Sequence, residues 1–180
     1  MSMDRLKAAK EMFLKYGGSH YFMDNNGEYE LYKSFGISRE QEQIWIREHQ
    51  SNLIRRLRRE SDAEISKVLI SALVSAMEQD DELSALPVLF DEIRHKLPIL
   101  DSLSKVIVAE VILNLFRRLV RDGQDDAALN GKSLVATILR DVIANPITVA
   151  SGYKEREEGQ VEYLKGENIL ARARRDLDKL

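Results

Sequence analysis

Hydrophobic residues recur every three or four positions along most of the chain, which is the spacing of an amphipathic α-helix. In the first such stretch, Leu6, Ala9 and Phe13 fall on one helical face before two glycines interrupt the pattern. The pattern predicts helices over residues 4–16, 38–59, 61–77, 84–97, 101–121 and at least 133–144.

Residues that cap helices stand at several of these predicted starts. Ser38 and Gln41 form a capping box, in which each side chain bonds a backbone N–H that the first turn leaves free. Residues 61–64 repeat this arrangement, and Asp101 or Ser102 precedes the most apolar stretch of the chain. The sequence therefore indicates both the positions of these helices and where they begin.

Residues 19–32 show a different pattern, because aromatic and charged residues alternate there. Asn26-Gly27 in their middle is the usual pair for a tight hairpin turn, whose two central residues both need a positive φ. This pattern predicts one small β-hairpin near residues 19–32.

Helix after helix with short connections is typical of an all-α fold. We expect a helical bundle or a short stack of antiparallel helix pairs, with about six or seven helices. Residues 1–150 are predicted to form a single helical domain. It divides into an aromatic-rich N-terminal region, 1–37, and a helical core, 38–146. Residues 151–180 are predicted to form a charged tail that ends in an amphipathic helix.

Composition narrows the functional classes. The chain has 180 residues, with 27 Lys and Arg against 30 Asp and Glu, and a formal charge of −3. This balance gives no general attraction to nucleic acid or to an anionic membrane. The absence of cysteine excludes disulfides, a Cys nucleophile and thiolate metal sites. With no apolar run of signal or membrane-span length, the sequence predicts a cytoplasmic protein without a membrane partner.

Two short motifs resemble sites of known chemistry only in part. Residues 130–133 end like a phosphate-binding loop, but Asp126 stands where that motif needs glycine. Glu92 and His95 have the spacing of a di-iron ligand pair, but the chain carries no second pair. No nucleophile motif is present. We therefore assign no catalytic residue, no metal ligand and no cofactor, and favour a protein that is not an enzyme.

Glu110 interrupts the most apolar predicted helix, and a buried carboxylate is costly unless it is paired. Three interpretations stay open. Glu110 belongs to a narrow polar stripe with Asn114 and Arg117, forms a structural ion pair, or acts as a functional carboxylate.

The densest positive charge lies in the arginine cluster, which consists of Arg55, Arg56, Arg58 and Arg59. An arginine fork binds two carboxylate or phosphate oxygens at once. The cluster is interpreted as a solvated helix end, as a contact for a protein partner, or as a contact for nucleic acid. The acidic residues that follow at positions 60, 62 and 64 disfavour the last of these.

Eight of the twelve aromatic residues fall within the first 45 positions. They either form a small core or supply a recognition surface, because Tyr and Trp are favoured at interfaces. For protein binding we single out Tyr29, Tyr32, Trp45, Arg55 and Arg59. In the tail, the spacing of Leu170, Leu177 and Leu180 suggests self-association into a homo-oligomer.

The sequence thus favours a small cytosolic helical module that binds another, unidentified protein without catalysing a reaction. A nucleic-acid-binding or regulatory protein that uses the arginine cluster is the first alternative. An enzyme or small-ligand binder with a pocket between helices, using Glu110, is the second.

Overall fold

The computed structural model describes residues 3–149 and 165–180 of the chain. Within these residues the protein is all-α and forms nine helices, so the predicted fold class is confirmed. The helices are α1 (Met3–Lys15), α2 (His20–Asn25), α3 (Tyr29–Lys33), α4 (Arg39–Arg59), α5 (Ala63–Glu78), α6 (Leu86–Lys96), α7 (Ser102–Arg121), α8 (Asp125–Ala144) and α9 (Gly166–Leu177).

Side-chain caps begin the three helices whose starts the sequence marked most clearly. The Ser38 hydroxyl accepts a hydrogen bond from the backbone N–H of Gln41, and Asp62 does the same for Ile65. The Asp101 carboxylate accepts from the N–H of Ser104 at 2.6 Å. These caps satisfy donors that the first helical turn leaves without a partner, and they fix the entry into α4, α5 and α7.

Four helices enclose the main hydrophobic core. Helix α5 packs against α7, α7 against α8, α8 against α6, and α6 against α5, which closes a four-helix arrangement. Its interior is formed by fully buried aliphatic residues, among them Leu73, Ile112 and Ile138. Helix α4 packs on the outside of α5 and α6, and α9 packs on the outside of α7 and α8.

A second, smaller core joins the N-terminal helices to the first half of α4. Its buried residues are Ala9, Phe13, Met23, Tyr32, Trp45 and Ile46. The rings of Phe13 and Tyr32 stack with centroids 5.6 Å apart, and Trp45 lies 5.9 Å from Phe13. The aromatic-rich stretch of the sequence therefore attaches α1, α2 and α3 to α4.

Two short helices, α2 and α3, occupy the stretch where the sequence pattern predicted a hairpin. Asn26 has a φ of −98°, which a hairpin turn of the expected type does not allow. Gly27 instead has a φ of +71° and ends α2. The N–H groups of Gly27 and Glu28 bond back to Asp24 and Met23, as in a Schellman helix end. Gly27 does turn the chain, but the predicted hairpin is wrong, because the turn links helices rather than strands.

The tail predicted for residues 151–180 falls only in part within the described residues. Positions 151–164 lie outside them, whereas α9 is an amphipathic helix that docks on its own chain. Ile169 and Ala173 of α9 are completely buried in the main core. Within residues 3–149 and 165–180, none of the helices combines the length and the apolar character that crossing a membrane requires.

Candidate functional site

The arginine cluster lies on the outward face of α4. All four side chains are exposed, because α4 buries its opposite face against α5 and α6. Arg58 alone is paired, through Nε to the Oε1 atom of the buried Glu92 at 2.6 Å. Among the described residues, Arg55, Arg56 and Arg59 form no ion pair. Three positive charges at the end of α4 therefore remain available to an external anion.

The backbone beneath the cluster is held by a buried lysine. Lys96 of α6 donates to the carbonyl oxygens of Arg58 at 3.4 Å and Glu60 at 2.5 Å. A cation at a helix C-terminus compensates the partial negative charge of the last carbonyl groups. This contact attaches the C-terminal end of α4 to α6, so the arginines project from a helix end that is held in place.

A shallow groove of about 430 Å³ runs along the same outward face. We call it the α4 groove, and it is lined by Ile44, Arg47, Glu48, Ser51, Asn52 and Arg55. Ile44 is 45% exposed, so an apolar side chain faces solvent among polar ones. Ile44 and Arg47 are not among the predicted binding residues, although the helical register of α4 places both on the face opposite Trp45 and Leu53.

A second concavity, the α6–α8 pocket, has a volume of about 190 Å³. It is lined by Glu82, Leu83, Leu86, Pro87, Phe90, Gln124, Ala127 and Asn130. Leu83, Leu86 and Phe90 are buried, whereas Glu82, Gln124 and Asn130 are exposed. The pocket thus combines an apolar floor with a polar rim.

The backbone around the α6–α8 pocket shows one unusual conformation. Leu83 has a φ of +53° and is the one non-glycine residue with a positive φ among those the structure describes. Such a conformation costs about 1–3 kcal/mol and persists only where its surroundings enforce it. Behind the floor, Gly131 lets α8 approach α6, since a Cβ there would lie 3.2 Å from Cζ of Phe90.

The two concavities meet at one ion pair. Arg47, which lines the α4 groove, contacts Glu82, which lines the α6–α8 pocket, with an Nη1–Oε1 distance of 3.1 Å. No sequence pattern indicates this contact, because the two residues are 35 positions apart and lie on different elements. The groove and the pocket therefore form adjoining parts of one surface.

The aromatic residues singled out for protein binding lie elsewhere. Tyr32 and Trp45 are each only 3% exposed, so neither offers a surface to a partner. Tyr29 is half-buried, with the Lys33 ammonium 5.0 Å from its ring centroid. Of the five predicted binding residues, Arg55 and Arg59 are the two that share the exposed face of α4.

Tyr32 also belongs to a buried polar cluster around Glu42. The Glu42 Oε1 atom accepts a hydrogen bond from the Tyr32 hydroxyl at 2.8 Å and lies 2.8 Å from the His20 ring. Arg39 reaches the other carboxylate oxygen at 3.3 Å. Burial, followed by the bond to Glu42, raises the pKa of Tyr32 far above its usual value. The cluster has the polar partners that a buried carboxylate needs, and it fixes α2 and α3 to α4.

The remaining candidates have structural positions. Glu110 forms an ion pair with Arg172 of α9, which is the second of the three interpretations given for it. Leu177 and Leu180 pack against the main core of their own chain, and Leu170 is half-buried. In this conformation the apolar face of α9 packs against its own chain. Self-association through that face stays a prediction.

The phosphate-loop and di-iron resemblances do not extend to the structure. Residues 130–133 lie within α8, which begins at Asp125 rather than near 133, so they form no loop. Glu92 is buried and pairs with Arg58, whereas His95 is exposed on α6. In the described ranges, His, Asp and Glu side chains do not come together in a group of three or more that suits a metal ion.

Comparison of the chain with protein-family models, with curated proteins and with solved structures finds no match. The function is therefore inferred from the residues and their geometry alone.

Proposed function

We propose that this chain is a non-catalytic helical module that binds an acidic segment of another protein along the outward face of α4. The observation that carries the proposal is the exposure of Arg55, Arg56 and Arg59 without an ion-pair partner among the described residues. Arginine binds carboxylates through two parallel hydrogen bonds, which adds direction to the charge attraction. The lack of cysteine suits the reducing cytosol, where we place this interaction.

The size and composition of the face favour an acidic protein over nucleic acid. Arg55 and Arg59 are four residues apart, which corresponds to about 6 Å along a helix. A patch of that length reaches one or two phosphates, whereas nucleic-acid binding proteins present a longer basic surface.

The α4 groove adds contacts of a kind that a protein segment uses. Ile44 offers apolar area, and Ser51 and Asn52 offer hydrogen-bonding groups next to Arg55. Interfaces commonly combine an arginine with exposed apolar area inside a polar rim. A partner helix or strand with Asp or Glu near Arg55 and Arg59 would therefore find both charge and area on α4.

The test is capture of partners from a native extract with the intact chain and two charge-reversal variants. Arg55→Glu/Arg59→Glu reverses the α4 face, and Arg140→Glu/Arg174→Glu makes the same charge change at exposed positions on α8 and α9. We expect the control variant to retain a partner protein. The α4 variant should capture at least about tenfold less of that protein. Cross-linking from α4 should then map to an Asp- and Glu-rich segment of that protein.

Two outcomes contradict the proposal. In the first, both double variants capture the same proteins as the unaltered chain. In the second, duplex or single-stranded nucleic acid binds the chain with micromolar affinity and strong salt dependence, and Arg55→Glu/Arg59→Glu abolishes it.

A further inference from the structure

The α6–α8 pocket adjoins the α4 groove but takes no part in the contact proposed above. Its floor consists of the buried side chains of Leu83, Leu86 and Phe90, with Ala127 on its α8 side. These groups offer apolar contact and no charge, so an acidic side chain would not be stabilised there. Whatever occupies the floor is apolar.

The volume limits the size of the occupant. At about 190 Å³ the pocket is smaller than the roughly 300–1,000 Å³ of sites for cofactors and drug-sized molecules. It is close to the roughly 150 Å³ cavity that admits a benzene molecule in an engineered protein core. The volume matches one leucine- or phenylalanine-sized side chain and lies below that of typical sites for nucleotides and larger cofactors.

The rim favours a side chain that arrives on a peptide. Gln124 and Asn130 lie at the edge of the pocket, and both residues are exposed. Each carboxamide has donors and an acceptor, which match the C=O and N–H of a peptide group. The charge of Glu82, also on the rim, is already balanced by Arg47 at 3.1 Å, so the rim does not call for a cation on the occupant.

The conformation of Leu83 points the same way. Its positive φ holds a large apolar residue at the wall of the pocket, in a turn where glycine or asparagine would be relaxed. Strained positions of this kind cluster at binding sites, where the surrounding structure maintains them. The conformation of Leu83 thus belongs to the wall of the pocket and contributes to its shape.

We infer that the α6–α8 pocket receives one apolar anchor residue, of leucine or phenylalanine size, from the same protein segment whose acidic residues bind the α4 arginines. This inference rests on the proposed function. Arg47 joins the two sites, and Arg55 and Arg59 follow it by eight and twelve residues, about 12 and 18 Å along α4.

The experiment uses small probes, so that the pocket is tested without the acidic contact. N-acetyl-L-phenylalanine N-methylamide is titrated into the full chain, and the methyl resonances of Leu83 and Leu86 are followed by NMR. N-acetylglycine N-methylamide, which lacks the anchor, is the probe control. We expect saturable shifts with the phenylalanine probe and none with the glycine probe.

Two variants make the test specific. Ala127→Phe fills the pocket from a half-buried position, and Ala171→Phe places the same ring at an exposed site on α9. We expect Ala127→Phe to weaken probe binding at least tenfold and Ala171→Phe to leave it unchanged. Thermal unfolding checks that both variants are folded. If Ala127→Phe does not fold, Leu83→Gly, which removes one wall, takes its place with the same expectation.

The outcomes separate this inference from the proposed function. Arg55→Glu/Arg59→Glu should bind the phenylalanine probe as the unaltered chain does, because those residues lie outside the pocket. Absence of methyl shifts, or equal binding of the probe by Ala127→Phe and the unaltered chain, would contradict the proposed anchor site. Neither result would contradict the proposed contact on α4. Toluene binding as tightly as the capped phenylalanine would also overturn it, since the peptide groups would then contribute nothing.

Discussion

Glu110 of α7 and Arg172 of α9 are joined by two hydrogen bonds, from Nε to Oε1 at 3.0 Å and from Nη2 to Oε2 at 2.7 Å. Arg175 adds a longer contact to Oε1 at 3.4 Å. The side chains of Glu110 and Arg172 are 30% and 13% exposed, so solvent screens the pair only in part. The one carboxylate inside an apolar helix thus holds the C-terminal helix in place.

Glu110→Gln is expected to loosen α9 without unfolding the bundle. Bidentate salt bridges between arginine and a carboxylate are among the stronger polar contacts, and partial burial reduces the competition from water. We expect α9 docking to lose about 1–2 kcal/mol, which corresponds to roughly 5–30-fold faster amide exchange in α9. Hydrogen exchange measures this directly. Asp126→Asn, at an exposed carboxylate of α8, should leave the exchange of α9 unchanged.

Tyr32→Phe tests the buried cluster around Glu42. The variant removes a hydroxyl donor from a carboxylate with little contact with water, and a hydrogen bond to a charged group contributes about 1.5–3 kcal/mol. Urea unfolding followed by the fluorescence of Trp45, the single tryptophan, should show that loss. Tyr21→Phe, at a side chain that is 70% exposed, should change stability by less than about 0.5 kcal/mol. Equal effects of the two variants would contradict the assigned role of Tyr32.

Arg118 of α7 closes the end of α5. Its guanidinium donates to the carbonyl oxygen of Met77 at 2.9 Å, to that of Asp80 at 2.8 Å, and to that of Glu78. We expect Arg118→Ala to cost about 2–3 kcal/mol in denaturant unfolding, because it removes charge-assisted bonds to several carbonyl groups. Arg118→Lys keeps the charge but lacks the planar fork, so it should recover less than half of the loss.

The neighbouring Arg121 supplies the control for this prediction. Its side chain is 75% exposed and pairs with Asp122 on the surface, a type of contact that contributes about 0–1 kcal/mol. If Arg121→Ala destabilises the protein as much as Arg118→Ala does, the hydrogen bonds from Arg118 to the carbonyl groups at the end of α5 do not account for the loss of stability.

Stability should fall as the pH drops below neutrality, in part through His49 on α4. Burial, with the positive charge of Arg56 as a second cause, holds the pKa of His49 below its usual value. In the unfolded chain His49 takes up a proton near pH 6.5, whereas in the folded chain it does so only at lower pH. The unfolded state thus binds more protons in this interval, and the free energy of unfolding decreases as the pH falls.

His49→Gln should therefore reduce the slope of stability against pH between about pH 7 and pH 5. Denaturant unfolding at several pH values measures this slope. His95→Gln replaces an exposed histidine of α6 and is the matched control. An unchanged slope in His49→Gln, or an equal change in both variants, would contradict the assignment to His49.

Local sequence patterns predicted the described helices other than α2 and α3, together with many of their ends. Periodic apolar residues and the caps at Ser38 and Asp101 act within one or two turns, so they can be read without knowing the fold. At residues 61–64 the pattern predicted Ser61 as the cap, whereas Asp62 caps α5 in the structure. The same local logic failed at Asn26-Gly27, because a glycine with positive φ ends a helix as readily as it turns a hairpin. Only packing against α1 and α4 decides between the two, since short helices and lone hairpins are both marginal in isolation.

Contacts between distant residues were decided by the tertiary structure alone. The sequence showed Glu110 as an anomaly but could not show Arg172 beside it, 62 positions later. It marked Tyr29, Tyr32, Trp45, Arg55 and Arg59 as one set of binding candidates. Packing buries Tyr32 and Trp45, half-buries Tyr29 and leaves the two arginines exposed. Periodicity gives the face of a helix on which a residue lies, but which faces are covered depends on how the helices pack together.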